Sequence, residues 1–173
     1  MSTIMQYSED EAIKAGGSEY ISEGGPYICQ IKEAKYVTAR TGTKGLEFTV
    51  KTQEGLQARF ITAYYEKSNG EPVAGGVSLI NAMMGLCQVQ SISAKAGSDN
   101  GDYCPELTNK KIGLFLQKKL FTKNDGSDGY KFEIVVPFNP NDKRTMREIS
   151  RNQDAKTIDR MAETYSDKDE RGQ

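Results

Sequence analysis

The stretch Leu46-Glu47-Phe48-Thr49-Val50-Lys51-Thr52-Gln53-Glu54-Gly55-Leu56-Gln57-Ala58-Arg59-Phe60-Ile61-Thr62-Ala63-Tyr64-Tyr65 decides the fold. Leu46, Phe48 and Val50 alternate with Glu47, Thr49 and Lys51, the period of two that sends apolar side chains to one face of a strand. Gln53-Glu54-Gly55 turns the chain. Beyond it, Leu56, Ala58, Phe60, Thr62 and Tyr64 share one face, with Gln57, Arg59, Ile61, Ala63 and Tyr65 on the other. The alternation therefore predicts that Phe60 and Tyr64 point into the core. Ser68-Asn69-Gly70 ends this second strand.

Upstream, Tyr27, Cys29 and Ile31 alternate with Ile28, Gln30 and Lys32 in a strand running to about Val37. A strand this long requires a bulge or bend to remain in a small sheet. Thr41-Gly42-Thr43-Lys44-Gly45 joins it to Leu46 as a hairpin loop. Downstream the period changes: Val77, Ile80, Ala82, Met83, Met84, Leu86 and Cys87 fit a helix of about three turns, with Ser78 among its caps and Gly85 a weak point. Residues 91–110, rich in Ser, Gly, Asp and Asn, read as a long functional or partly disordered loop. Ile112, Leu114, Leu116 and Leu120 then alternate with Gly113, Phe115, Lys119 and Phe121. Across the Asp-Gly hairpin signals at 125–126 and 128–129, Tyr130, Phe132, Ile134, Val136 and Phe138 alternate without a break.

Three strands, a helix and two strands is the order of an OB-fold, a five-stranded Greek-key barrel with a helix between strands three and four. The expectation is thus a mostly β domain over residues 25–140. A polar arm precedes it (1–24), and a charged, partly helical extension follows (141–173). In that extension Asn141 or Asp142 would cap one helix, and Ile158, Met161, Ala162 and Tyr165 form the apolar stripe of another.

Composition narrows the function. The net charge is −1, yet its distribution is uneven: −4 over residues 1–24, +3 over 25–138 and zero over 139–173. There is no histidine, and the three cysteines are too widely spaced for a Cys/His zinc site. They read instead as small buried apolar residues. Without histidine no Ser-His-Asp or Cys-His unit is available, so no enzyme and no cofactor is expected. A nuclease built on scattered carboxylates is the weakest alternative. The Asp-Gly-Ser-Asp-Gly run lacks the spacing and terminal Glu of a calcium loop. No apolar run is long enough to span a bilayer and no basic-then-apolar leader opens the chain, so a cytoplasmic protein without membrane contact is expected.

An OB barrel takes oligonucleotides across strands two and three, between the loops joining strands one to two and four to five. Those loops are Arg40–Gly45 and Thr122–Gly129. Sequence-independent single-strand binding combines stacking platforms with cations. Lys35 and Tyr36 end strand one, Arg40 and Lys44 flank the first loop, and Lys51 and Arg59 share the outward face of the central hairpin. Tyr65, Lys119, Phe121 and Lys123 complete the candidate single-stranded DNA surface, with Phe115 a further stacking candidate. Lys118 and the Tyr130-Lys131 pair also put cations beside aromatic rings.

The chain resembles a family through Gly25-Pro26-Tyr27-Ile28-Cys29-Gln30-Ile31, Ala34, Thr41-Gly42-Thr43 and Gly45-Leu46-Glu47-Phe48. It looks like the OB-fold single-stranded DNA-binding proteins of tailed bacteriophages, over residues 20–140. The resemblance implies sequence-independent coating of single-stranded DNA during phage replication, recombination or repair, in the host bacterial cytoplasm. Self-association along the strand, through the acidic arm before Gly24 or the C-terminal helices, and contacts with replication or recombination proteins are the further partners expected. Ser166–Gln173 departs from the acidic, apolar-tipped tail of many such proteins, because Lys168 and Arg171 interrupt its acids. A second reading is an OB-type protein-interaction or structural module.

Overall fold

The computed structural model describes residues 1–13, 15, 19–97 and 101–172. The chain is mostly β. After a short helix α1 (Glu9–Ile13) come β1 (Gly25–Thr38), β2 (Lys44–Thr52) and β3 (Gln57–Glu66), then helix α2 (Ala74–Leu86). The two-residue strands β4 (Lys95–Ala96) and β5 (Asp102–Tyr103) precede the long hairpin of β6 (Lys111–Thr122) and β7 (Asp128–Phe138). Helices α3 (Met146–Ser150) and α4 (Thr157–Glu163) and a final β8 (Lys168–Asp169) end the chain.

Strand β1 holds the sheet together by pairing with three strands: with β5 at Lys35 and Tyr103, and over longer stretches with β2 and β6. Cys29–Thr38 lies antiparallel to β2, and Gly25–Gln30 antiparallel to β6. The bend that its length demands is present as a register shift between Ile31 and Glu33. It keeps Cys29 and Ile31 on the same buried side as Ala34. The main core gathers Ile31, Phe48, Ile61, Met83, Leu107 and Leu114, with all three cysteines unpaired and buried. Burial pushes the Cys29 thiol up to about 12, so it behaves as a small apolar side chain.

The sheet does not close into a barrel. β3 and β7 pack against each other, but among the described residues no ladder joins them. The physical reason lies at the β3 edge. Ile21 N–H donates to the Gln57 carbonyl (2.8 Å) and Gln57 N–H to the Glu19 carbonyl (2.6 Å), so the arm occupies part of that edge. Ile21 itself is in the core.

Two predicted alternations fail at bulges. On β3, Phe48 faces Ile61 and Val50 faces Ala58, so Arg59 and Phe60 are extra residues against a single intervening partner. The buried set becomes Ala58, Ile61 and Ala63, while Phe60 and Tyr64, expected inside, are exposed. On β7 the register slips at Val135, so Val136 and Phe138 leave the face of Phe132 and join Phe115 on the opposite side.

Helix α2 begins at Ala74, earlier than Ser78 would place it, with Val73 as an N-cap that offers no side-chain bond. Gly76 lets the helix meet the sheet: a Cβ there would lie 1.5 Å from the Tyr64 carbonyl oxygen. In the extension the cap is Thr145 rather than Asn141 or Asp142, and it forms a reciprocal capping box with Glu148. Ile158, Met161 and Tyr165 pack onto Phe115 and Phe138 as a second, smaller core, with Ala162 exposed. The segment 91–110 carries β4, β5 and the buried Cys104 and Leu107, with residues 98–100 outside the described set. Among the described residues no helix is long and apolar enough to cross a membrane.

Candidate nucleic-acid interface

The seam between β3 and β7 is a groove of about 370 Å³ whose lining includes Tyr20, Gln57, Arg59, Phe60, Tyr130 and Lys131. Its walls come from three places: the arm paired to Gln57, the β3 bulge, and the start of β7. Phe60 is 70% exposed and its backbone sits at φ 60°, a left-handed conformation that costs a bulky residue roughly 1–2 kcal/mol. Tyr20 and Tyr130 are 43% and 47% exposed. Each carries a cation on its ring: the Arg59 guanidinium lies 5.2 Å from the Tyr20 centroid, and Lys118 Nζ 4.7 Å from that of Tyr130. Lys118 Nζ also donates to the Ser22 carbonyl (2.8 Å). Lys131 Nζ is 5.9 Å from the Phe121 ring. None of Arg59, Lys118 and Lys131 has a carboxylate partner among the described residues.

This arrangement exposes three rings, two of them under a cation that lacks a carboxylate partner among the described residues: Arg59 on Tyr20 and Lys118 on Tyr130. The Lys131 side chain, opposite Lys119 in the ladder, rests on Phe121 instead. Aromatic faces offer stacking to any base, and the cations attract phosphate.

The residues expected from sequence to form the interface scatter over several places. Arg59 reaches the seam, and Phe121 touches its margin through Lys131. Tyr36, Lys44 and Tyr65 line a different, mainly apolar cleft of about 730 Å³, together with Val77, Ile80 and Met84 of α2. There the Tyr36 hydroxyl donates to the Ser93 carbonyl (2.8 Å). Burial, then the Cys104 thiol, shifts the Tyr36 phenol upward, and Lys44 pairs with Glu66 at 3.1 Å. Lys35 lies 3.6 Å from Glu33 on the outer face of the hairpin. Arg40 and Lys123 are exposed in their loops, and Lys51 lines a separate groove with Lys32 and Lys111.

Two expectations are corrected. Lys119, expected to face phosphate, is instead largely covered: its side chain is 14% exposed and bridges Glu133 (2.8 Å) and Glu170 (3.5 Å). Phe115 is buried beneath the extension and cannot stack on a base. In the β6–β7 loop, Asp125 accepts from both the backbone and the hydroxyl of Ser127. Among the described residues no three Asp, Glu, Cys or His side chains cluster to hold a metal ion.

Tyr20 is absent from the residues expected from sequence, Phe60 is expected in the core, and Tyr130 enters only as the neighbour of Lys131. The only local signal for Phe60 was the adjacency of Phe60 and Ile61, which a strict alternation cannot place on one face. Tyr20 carried none, since its position depends on a bridge to Gln57. The sequence matches no family model and no curated protein.

Proposed function

We propose that this chain is a sequence-independent single-stranded DNA-binding protein whose bases stack in the β3–β7 seam. The observation that carries the reading is Phe60, a large aromatic held out into solvent at a strained backbone position and flanked by Tyr20, Tyr130 and uncompensated cations. A strained backbone position whose ring gains no packing supports a functional reading of this site. Three such rings, at roughly 1–3 kcal/mol per stacked base, supply useful affinity without reading sequence.

The strand order, with β1 shared between β2 and β6 and a helix between β3 and β6, supports reading the domain as an OB-type barrel left open at its last seam. Its sequence resemblance to phage single-strand-binding proteins extends the proposal to coating DNA during replication, recombination or repair. Self-association along the strand and partners from those machineries belong to the same proposal.

Anisotropy of labelled dT16, its duplex and the matching RNA, at several salt concentrations, tests the reading. Salt-sensitive binding of dT16 is expected, and absence of binding at low salt sinks it. A protein-interaction module is favoured by the apolar cleft beneath α2. That reading gains if dT16 fails to bind.

A further inference from the structure

A second basic surface lies beside the seam. Gln30 of β1 faces Lys51 on β2 and Lys111 on β6, and Lys51 in turn faces Gln57 on β3. Residues directly opposite in a ladder point to the same side. Their neighbours Cys29, Ile31, Val50, Ala58 and Ile112 are buried, so this row points outward. It crosses four strands at about 4.8 Å per step, roughly 14 Å in all. Lys32, the extra residue of the β1 bulge, stands next to it.

The groove here measures about 430 Å³ and is lined by Lys32, Lys51 and Lys111 with Gln30 and Gln53, and no carboxylate lines it. None of the three lysines has an ion-pair partner among the described residues. Elsewhere on the sheet Lys44, Lys119 and Lys35 are matched to Glu66, Glu133 and Glu33, while Lys118 and Lys131 rest on aromatic rings. Three lysines left together without acids repel one another, a local cost that an incoming polyanion removes. No aromatic side chain lines this groove, so it offers phosphate contact and amide donors but no stacking. Its row ends at Gln57, the ladder partner of Lys51, and Gln57 also lines the aromatic seam, so one residue links the lysine row to the seam.

We propose that Lys32, Lys51 and Lys111 form a second, electrostatic segment of the nucleic-acid track, gripping phosphates of the strand after it leaves the stacking seam. The inference rests on the single-stranded DNA reading and gives the track a direction: bases held at one end, backbone alone at the other. At the 3.4 Å rise of a stacked strand, 14 Å accommodates about four phosphates. Ile28 is the one large apolar side chain at this groove; a strand leaving the seam at Gln57 meets the lysine row next.

The test is the salt dependence of dT16 affinity in the full chain. Each phosphate neutralised contributes a slope of about 0.7 in log K against log salt, so three lost contacts remove about two. Lys32→Ala, Lys51→Ala and Lys111→Ala combined are expected to flatten the slope by that amount and to weaken binding at least tenfold at low salt. The matching triple Lys→Arg variant is expected to keep the wild-type slope. Phe60→Ala is expected to weaken binding at every salt concentration with the slope unchanged. If the alanine triple, with its circular dichroism intact, keeps the wild-type slope while Phe60→Ala still weakens binding, the lysine segment is wrong and the seam stands. If wild-type protein does not bind dT16 at all, the seam reading fails as well.

Discussion

The seam between β3 and β7 and the back of the β6–β7 hairpin hold the same kinds of residue in opposite states. The back carries Phe115, Phe138, Tyr165 and Lys119; the seam carries Tyr20, Phe60, Tyr130 and Arg59. On the back, α4 covers the rings until Phe115 and Phe138 are 2% and 1% exposed, and Glu133 and Glu170 neutralise the lysine. In the seam the rings stay in solvent and the cations rest on ring faces. Composition therefore does not distinguish an exposed aromatic surface from a covered one in this molecule. What distinguishes them is whether another element arrives to cover the rings and match the charge.

The C-terminal extension, then, is structural cover, and its removal should be costly. Glu148 is the polar post of that cover. Burial alone would raise its pKa, but N–H groups of Lys156, Thr145 and Thr157 hold the carboxyl down to about 2. The difference from 4.5 corresponds to about 3 kcal/mol. Because the folded-state value is depressed, that stability is present above about pH 4.5 and lost as pH falls toward 2. Glu148→Ala is expected to destabilise by about 3 kcal/mol in urea unfolding at neutral pH. Its dT16 affinity, measured where the variant is folded, should stay within twofold. A large affinity loss would show that cover and seam are one unit.

Phe60→Ala carries the next largest effect, a loss of about 1–3 kcal/mol in dT16 binding by anisotropy. An unchanged affinity would leave the seam with no more claim than the back. Lys119→Ala sharpens the contrast from the other side. It leaves Glu133 and Glu170 facing each other without their lysine, so a stability loss of about 1 kcal/mol is expected, with affinity changed less than threefold. The smallest effect has the reverse sign. Phe60→Gly relieves the left-handed backbone and should stabilise the fold by about 0.5–1 kcal/mol while weakening dT16 binding. Stability and binding moving in opposite directions at one residue is the signature of strain kept for function.

Periodicity alone was sufficient for the five long strands, the helix after the third, the need for a bend in β1 and the apolar stripe of Ile158, Met161 and Tyr165. These follow from local rules, because a half-buried strand or helix writes its own period into the chain. Arg59 and Lys51 could be nominated as outward cations on the same grounds. The inverted faces beyond Phe60 and Val135 could not, since a bulge is decided by how one strand registers against its partner. Nor could alternation tell that Lys119 is neutralised by Glu170, 51 positions away, or that Tyr20 comes to rest beside Arg59. The sequence by itself determined which segments are strands and which residues are able to stack or to carry charge. The tertiary structure decided which of them remain uncovered, because exposure and charge pairing depend on elements distant in the chain that pack only once the sheet has formed.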